Sequence, residues 1–303
     1  MTVPIVFHPD YQAPLRPRHP FPMSKYYYLR RALVARGLLP EAGGTLSPAP
    51  LPPCRAAAVH ALAYVERVAN VALTPEEVRR IGLPNSAAVA RRAFLSAAGT
   101  LLAARLALAH GLAANMAGGS HHAGPEGGAG YCVLNDVAIA AQALVGEGRV
   151  ARVLVIDCDV HQGDGTARIF ADRSEILTLS LHAARNYPAR KAASDLDYPL
   201  PDRLGDSAYL EVLAAALAAT EGFAPELAFY NAGVDPHAGD RLGRLALSDA
   251  GLRARDRLVL GWARARGLPV AAVLGGGYDD DPDRLAARHA ILFEEAARAV
   301  AAA

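Results

Sequence analysis

Four short apolar runs constrain the fold of this chain more than any other feature of its sequence. Each run lacks strict alternation of polar and apolar residues, which is typical of strands covered on both faces. Segments with helical character separate the runs, and this alternation predicts a single-domain, doubly wound, mainly parallel α/β sheet over residues 1–303. The predicted strands are 153–158, 175–181, 226–231 and 270–274, and the predicted helices are 133–146, 207–221, 249–266 and 282–302.

The remaining segments are assigned by composition. Glycine, proline and polar residues predict loops at 40–53, 117–130 and 183–206. The N-terminal third is predicted to be rich in helices that pack onto the same sheet. The Ala-rich segment 94–114 carries Arg105 and His110, which favours a buried helix over a membrane span. We therefore expect no membrane partner, and the first residues lack the pattern of a signal peptide.

Charge and cysteine content limit the classes of partner and compartment. The chain has 31 basic and 30 acidic residues and no basic block, so we expect no nucleic-acid partner. The three cysteines, Cys54, Cys132 and Cys158, lie far apart and form neither a CxxC zinc pattern nor a secreted disulfide framework. This spacing predicts a reducing, cytoplasmic location.

Polar side chains follow each predicted strand. In an open parallel sheet the ligand site lies beyond the carboxyl ends of the strands, so these side chains are expected to converge on one edge. A glycine-rich loop with two adjacent histidines precedes the helix predicted at 133 and joins the same edge. The segments concerned are DCDVHQGD, SLH, NAGVD and GGGY, together with the loop at 117–130.

Asp159 and His161 are separated by one residue, and side chains at i and i+2 of an extended chain point to the same side. Asp235, from the end of the third predicted strand, would complete an Asp-His-Asp set. Three protein ligands with an open position are typical of a catalytic metal site. The alternative for a lone DxH pattern is a loop-capping aspartate beside a solvent-facing histidine.

The adjacent histidines His121 and His122 have two spare carboxylates available, Asp157 and Asp164. A carboxylate bound to one imidazole nitrogen fixes the tautomer and raises the basicity of the other nitrogen. Two such dyads above a metal would serve as general base and general acid. Tyr278 follows three glycines and would direct its hydroxyl at a developing oxyanion, with an ordinary core tyrosine as the alternative.

Five sequence blocks together resemble the zinc-dependent histone deacetylase family in their order and spacing. The opening VPIVFHPDY is similar as well, and NAGVDPHAGDRLGRLALS is most similar to the class IV branch and its bacterial relatives. The five blocks are GGSHHAGPEGGAGYCVLND, DCDVHQGDG, SLH, NAGVD and LGGGY.

The resemblance implies the arginase–deacetylase fold and hydrolysis of the amide bond of an acylated lysine, with acetyl or long-chain acyl groups. It implies one zinc ion, with iron(II) as an alternative, and a structural potassium ion. The implied zinc ligands are Asp159, His161 and Asp235. His122 with Asp164 is implied as general base and then proton donor, His121 with Asp157 as its electrostatic aid, and Tyr278 as oxyanion donor. The implied potassium ligands are Asp157, Asp159, His161, Ser180 and the Leu181 carbonyl, and the implied substrate-binding residues are Gly130, Tyr131, Tyr187 and Gly276.

Three alternatives to this interpretation remain. Arginase-type enzymes share the fold but bind two manganese ions, and the positions that would supply the additional carboxylates are here Gly163 and Gly233, so one catalytic metal is predicted. A small-molecule amidohydrolase, for example one acting on acetylpolyamines, would use the same catalytic residues, and Glu126 is a candidate for attracting a cationic substrate. A non-catalytic binding protein on this scaffold is the third.

Overall fold

A seven-stranded sheet forms the centre of the computed structural model, which describes residues 2–301. The strands are β1 (Ile5–Val6), β2 (Leu112–Asn115), β3 (Val153–Asp157), β4 (Ile176–Ala183), β5 (Leu196–Leu200), β6 (Leu227–Asn231) and β7 (Val270–Val273). Their order is β1-β2-β7-β6-β3-β4-β5, and every neighbouring pair is parallel. The predicted parallel α/β class is confirmed.

Helices cover both faces of this sheet. Contacts between α1 and α10, α9 and α10, and α5 and α6 are the most extensive helix pairings. Among residues 2–301 the α-helices are α1 (Lys25–Ala35), α2 (Pro53–Ala56), α3 (Leu62–Ala69), α4 (Pro75–Ile81), α5 (Ala87–His110), α6 (Asp136–Gly146), α7 (Asp164–Phe170), α8 (Asp206–Ala218), α9 (Asp249–Ala265) and α10 (Pro282–Ala301).

The central strands are apolar because helices cover both of their faces. Every residue of β3, β6 and β7 is buried. Burial of one large aliphatic side chain contributes about 1.5–3 kcal/mol, so these strands supply much of the folding free energy. The predicted strands agree with these positions to within one residue at their first residues, which are Val153, Ile176, Leu227 and Val270.

Helix α5 contains most of the Ala-rich segment. It is the one helix in the described residues that is long and apolar enough to cross a membrane, but 67% of its most apolar window is buried inside the protein. It packs against α6, β2 and β7. The prediction of a buried helix is therefore confirmed for residues 94–110, whereas residues 112–114 belong to β2. Ser86 caps its first turn by accepting a hydrogen bond from the Val89 amide, and the helix ends before Gly111.

Three strands differ from the sequence-based prediction. Strand β1 lies in the N-terminal third, which was predicted to be rich in helices. Strand β2 overlaps the end of the segment 94–114 that was predicted as a helix, and β5 lies inside the segment predicted as the loop 183–206. Strand β5 is polar because it is an edge strand that pairs with β4 alone. Its Pro199 is tolerated at that edge because a central strand would need the missing amide proton.

Helix α4 is defined sharply at both ends. Thr74 and Glu77 form a capping box at its N-terminus, and Gly82 ends it in the left-handed conformation with φ 75°. Arg67 donates to the Glu77 carboxylate at 2.6 Å. This fixed helix end contacts the wall of the site described below.

Candidate active site

The carboxyl ends of β3, β4 and β6 lie side by side. Asp157, the last residue of β3, is in register with Ser180 of β4 and Asn231 of β6. The chain leaves each of these strands at the same edge, so the polar segments that follow meet there. The structure thus brings the predicted site residues of three separate segments together.

Asp159, His161 and Asp235 form a buried triad whose potential ligand atoms all lie within 4.8 Å of one another. His161 Nδ1 lies 3.0 Å from Asp159 Oδ1 and 3.2 Å from Asp235 Oδ2. The Gly276 amide donates to Asp159 Oδ2 at 2.6 Å, and the Val160 amide donates to Asp235 Oδ1 at 2.9 Å. These backbone bonds fix the orientation of both carboxylates.

The electrostatics of the triad fit a cation. Burial and the neighbouring Asp159 raise the pKa of Asp235 to about 7. Burial disfavours a charged His161, but the carboxylates of Asp159 and Asp235 outweigh it and raise the pKa of His161 to about 10. The two buried carboxylates thus favour positive charge among them, which a divalent cation would supply in place of the His161 proton. Their oxygen and nitrogen donors suit zinc and other divalent transition metals.

Gly163 and Gly233 stand where a two-metal enzyme of the arginase type would carry additional carboxylates. Neither position has room for a side chain. A Cβ atom at Gly163 would lie 2.4 Å from Asp157 Oδ2, and one at Gly233 would lie 2.6 Å from Asp159 Oδ2. Both are far below ordinary contact distances. Neither position therefore has room for a further carboxylate next to the Asp157 and Asp159 side chains, and the number of metal ions stays a prediction.

His121 and His122 form two parallel dyads with carboxylates. His121 Nδ1 lies 2.7 Å from Asp157 Oδ2, and His122 Nδ1 lies 2.6 Å from Asp164 Oδ1. Because ionised carboxylates only accept hydrogen bonds, each imidazole carries a proton on Nδ1. The two Nε2 atoms lie 3.2 Å apart, and both rings are buried.

The two histidines differ in charge. Burial opposes the charge on His121, but Asp157 and Asp159 outweigh it and raise the pKa of His121 to about 9. Burial and then the adjacent His121 lower the pKa of His122 to about 3, against the hydrogen bond to Asp164. At neutral pH the pair therefore consists of one imidazolium and one neutral imidazole. The neutral ring is the one able to accept a proton.

The loop that carries both histidines is held by a buried carboxylate that sequence reasoning did not single out. Asp136 accepts from the amides of Gly119 at 3.1 Å and Ser120 at 2.7 Å. Asn231 was also missed, and its Nδ2 donates to Asp157 Oδ1 at 2.9 Å. Asp136 ends the sequence block GYCVLND, and Asn231 begins the block NAGVD. Their position next to the site motifs is the sequence feature that could have identified them.

Tyr278 lies beside the triad with its ring centroid 6.4 Å from that of His161. Burial, reinforced by Asp235 and Asp159, raises the pKa of its phenol well above the ordinary value, so the hydroxyl keeps its proton. Its amide donates to Asp240 Oδ2 at 2.7 Å, and its carbonyl accepts from the Arg241 amide at 3.0 Å. Asp240 thus positions Tyr278, and nothing in its loop sequence distinguished it.

Aromatic side chains wall the approach to the triad. The Tyr187 ring stands perpendicular to the His122 ring at 4.8 Å and is 45% exposed. Tyr131 and Phe21 pack 5.4 Å apart, and Phe21 was not predicted. Gly130 lies between the rings of His122 and Tyr187. A Cβ atom at this position would be 2.7 Å from the His122 ring and 3.1 Å from the Tyr187 ring. These residues and Gly276 surround a passage from the surface to the triad.

The residues predicted to bind potassium lie on the neighbouring strands β3 and β4 and in the triad itself. Asp157 and Ser180 are register partners, and Leu181 is buried in β4. The Ser180 hydroxyl lies 3.0 Å from His182 Nδ1. Asp159 and His161 complete the predicted set and belong to the triad as well. The arrangement does not test potassium binding, which stays a prediction.

A buried guanidinium that sequence reasoning missed braces the loops that carry the triad. Arg255 of α9 is fully buried and donates to the Gly233 carbonyl at 2.5 Å and the Cys158 carbonyl at 3.4 Å. Asp256 neutralises it at 2.9 Å. An arginine in a charged helical segment gives no sequence signal that distinguishes it from a solvated one.

Comparison with known proteins decides the family. The histone deacetylase domain family matches residues 19–293. The chain is 47% identical over 300 residues to an uncharacterised protein of Picosynechococcus sp. (98% of this chain, 99% of that one). It is 32% identical over 270 residues to histone deacetylase 2 of Arabidopsis thaliana (86% of this chain, 70% of that one).

The chain belongs to the histone deacetylase family. A solved structure of acetylpolyamine aminohydrolase from Burkholderia pseudomallei matches 97% of this chain and 98% of its own, with a TM-score of 0.78 and 26% identity. The fold of this deacetylase-family chain is therefore the arginase–deacetylase fold, as the sequence blocks implied. Members of the family are hydrolases, and the triad described above is its candidate metal site.

Gly276 gives a direct test of the triad in this deacetylase-family protein. A Cβ atom there would lie 2.0 Å from Asp235 Oδ2 and 2.7 Å from Asp159 Oδ2. We expect Gly276→Ala to displace both carboxylates and weaken metal binding at least ~10-fold, within the range seen when support of metal ligands is lost. Competition against a chromophoric chelator measures this.

Gly261→Ala is the matched control, since this helical glycine has open space around it. It should bind metal as the wild type does. Wild-type metal affinity in Gly276→Ala would show that these carboxylates are not the ligands.

Proposed function

We propose that this protein is a zinc-dependent hydrolase that removes short acyl groups, acetyl above all, from lysine side chains. One observation carries the proposal: two buried histidine–carboxylate dyads stand beside the Asp-His-Asp triad at the end of an aromatic-walled passage. The family match supports the hydrolase chemistry, and histone deacetylase 2 among the relatives supports the acyl-lysine substrate.

Asp159, His161 and Asp235 would hold the zinc ion, and iron(II) fits the same donors. When bound, such an ion supplies Lewis-acid polarisation of the acyl carbonyl and acidifies a water. Three protein ligands would leave a bound ion able to take a water or the acyl oxygen as a further ligand. The triad is buried, which keeps the local dielectric low and strengthens these effects.

His122 would act as general base and then as general acid. Its Nδ1–H is bound to Asp164, so its Nε2 accepts the proton of the attacking water while the water oxygen bonds to the acyl carbon. The carbon–nitrogen bond then breaks as that proton moves from Nε2 to the departing amine. The products are a free lysine amine and a carboxylate, and no further reactant is required.

Tyr278 and His121 would stabilise the negative charge that develops on the acyl oxygen. The Tyr278 hydroxyl keeps its proton and donates a hydrogen bond to that oxygen. His121 stays charged beside Asp157 and lies next to the base, so it adds electrostatic stabilisation. A potassium ion held by Asp157, Ser180 and the Leu181 carbonyl, with Asp159 and His161, would offset the remaining buried negative charge.

The size of the cavity favours a short acyl group over the long chains also considered. The cavity around the triad has a volume of about 30 Å³. One water-sized group needs ~10–15 Å³ of such space, so the room suits an acetyl group. Tyr26 and Arg92, both buried, are among the residues that line the cavity, and Arg92 donates a hydrogen bond to the Tyr26 hydroxyl.

The proposal also includes membership of the class IV branch and a cytoplasmic location. The class IV placement rests on the resemblance of the NAGVDPHAGDRLGRLALS segment, and the cytoplasmic location rests on the cysteine spacing. Hydrolysis of acetylpolyamines is the second candidate function, favoured by the overall likeness to the aminohydrolase structure.

A side-by-side assay tests the proposal. The zinc-loaded protein is given the same lysine peptide with acetyl or myristoyl groups, and an acetylpolyamine, and release of free amine is measured. We expect kcat/KM to be highest for the acetyl-lysine peptide. A preference for the polyamine would mean that the substrate is a polyamine and not acyl-lysine, with the same hydrolytic mechanism. No turnover of any acylated amine would contradict the proposed function.

A further inference from the structure

Five cationic side chains lie near Tyr187, at the outer end of the passage: Arg80 and Arg168 act on the Tyr187 ring across space, and three more extend from the loop that carries it. We call this set the cationic rim, and it bears on which acyl-lysine substrates the proposed function would select. The cationic rim consists of Arg80, Arg168, Arg185, Arg190 and Lys191.

Arg80 is attached directly to one wall of the passage. Its carbonyl accepts from the Gly130 amide at 3.2 Å, and the next carbonyl, of Ile81, accepts from the Tyr131 amide at 2.7 Å. The Arg80 Nε donates to the Gly128 carbonyl at 2.8 Å. The exposed guanidinium is therefore held beside the residues that line the passage.

Arg168 lies above the catalytic dyad. Its guanidinium contacts Asp164 at 2.6 Å and is 47% exposed, whereas Asp164 is buried. The other oxygen of Asp164 is bound to His122 at 2.6 Å. Both oxygens of the Asp164 carboxylate therefore have partners inside the protein. The Arg168 guanidinium is the charged group of this pair that solvent can reach.

The loop that carries Tyr187 holds the other three cations, of which Lys191 is only partly exposed. Lys191 Nζ donates to the Asn186 carbonyl at 2.5 Å and to the Pro188 carbonyl at 2.7 Å, on either side of Tyr187. Arg185 and Arg190 are exposed on the same loop.

This loop is fixed to the rest of the protein. The Asn186 side chain donates to the Leu242 carbonyl at 2.7 Å and accepts from the Arg244 amide at 2.9 Å. The backbone from which Arg185, Arg190 and Lys191 extend is therefore fixed next to Tyr187.

Few carboxylates oppose the cationic rim. Within residues 2–301, Arg80, Arg190 and Lys191 have no carboxylate at salt-bridge distance, and Asp202 is shared between Arg185 at 3.7 Å and Arg244 at 3.4 Å. Asp164 contacts Arg168, both Asp164 and Asp197 lie near Lys191, and Glu126 is exposed on a neighbouring loop. The cations of the rim still outnumber these carboxylates. The entrance therefore carries a net positive charge, although the whole chain is nearly neutral.

We infer that the cationic rim selects acyl-lysine residues within acidic polypeptide segments and disfavours polycationic amines. The inference rests on the proposed function and narrows its substrate class. Complementary charge at an entrance raises the encounter rate and positions the chain, whereas like charge repels it. A polyamine would bring its positive amines against the rim, while aspartate or glutamate residues flanking the lysine would meet it favourably.

Three peptides test this inference. They share one central acetyl-lysine and carry glutamate, serine or lysine at the flanking positions. We expect kcat/KM to be at least ~10-fold higher for the acidic than for the basic peptide at low ionic strength, with the change mainly in KM. The ratio should fall toward one at about 0.5 M salt, where exposed charges are screened within a few ångströms.

Charge reversal in the protein gives the matched comparison. Arg190→Glu should reduce the acidic-to-basic ratio about threefold or more. Arg149→Glu is the control, because this exposed arginine follows α6 and precedes β3, at the opposite edge of the sheet. It should leave the ratio unchanged.

The serine-flanked peptide separates the two claims. If the wild type hydrolyses it but treats acidic and basic peptides alike, or if Arg190→Glu keeps the wild-type ratio, the inference about the rim is wrong and the proposed function stands. If the wild type fails to hydrolyse the serine-flanked peptide, the proposed function itself is wrong.

Discussion

Asp235→Ala is expected to remove the metal and with it all measurable hydrolysis. Asp235 is fully buried, and its Oδ2 lies 3.2 Å from His161 Nδ1 within the triad. Loss of a residue that merely supports a ligand costs 10–100-fold in metal affinity, so loss of a ligand should cost at least ~100-fold. Elemental analysis and competition against a chromophoric chelator measure the affinity.

Asp172→Ala is the matched control for this substitution, since Asp172 is exposed in the turn between α7 and the first residue of β4, at the opposite end of the strands from the triad. It should bind one metal ion with wild-type affinity. Thermal unfolding of both variants without added metal shows whether Asp235→Ala is folded. A folded Asp235→Ala protein with undiminished metal affinity would mean that the ligand set has been misassigned.

Tyr278→Phe should keep the metal and lose most turnover. The substitution retains the ring packed against Phe21 and Tyr131 and removes the hydroxyl alone. Loss of one oxyanion donor costs about 10²–10³ in kcat, or 2.7–4 kcal/mol, and KM should change little because the hydroxyl acts mainly in the transition state. Steady-state kinetics with the acetyl-lysine peptide measures both parameters.

Tyr198→Phe provides the comparison for loss of a phenol hydroxyl elsewhere, on edge strand β5. It should keep wild-type kcat. Metal content must be equal in the two variants and the wild type, so that a fall in kcat reports on chemistry. Undiminished kcat in Tyr278→Phe would remove Tyr278 from the mechanism.

The central strands were predictable from sequence because burial on both faces makes them continuous apolar runs, as in VLVID of β3. Strand β2 was not predictable from sequence, because its residues LAAN follow the equally Ala-rich α5 after a single glycine. Strand β5 contains an aspartate and Pro199, and such residues predict a loop unless the strand is known to lie at an edge. Strand β1 is two residues long and gives no periodicity at all.

The candidate ligands and dyads were predictable because parallel topology places whatever follows each strand at one edge. Asp240 and Arg255 were not, because each acts through backbone groups of distant segments: Asp240 on the Tyr278 amide and Arg255 on the Gly233 carbonyl. Such contacts depend on how loops and helices pack in three dimensions. The cationic rim likewise depends on how the loop around Tyr187 folds against Arg80 and Arg168.

A metal titration of acetyl-lysine hydrolysis tests the central claim most directly. The protein is stripped with a chelator, zinc is added back in known amounts, and acetate release from the peptide is followed. The account predicts no turnover without metal and full turnover at one zinc ion per chain. Full activity in the stripped protein, or a requirement for two ions per chain, would contradict it.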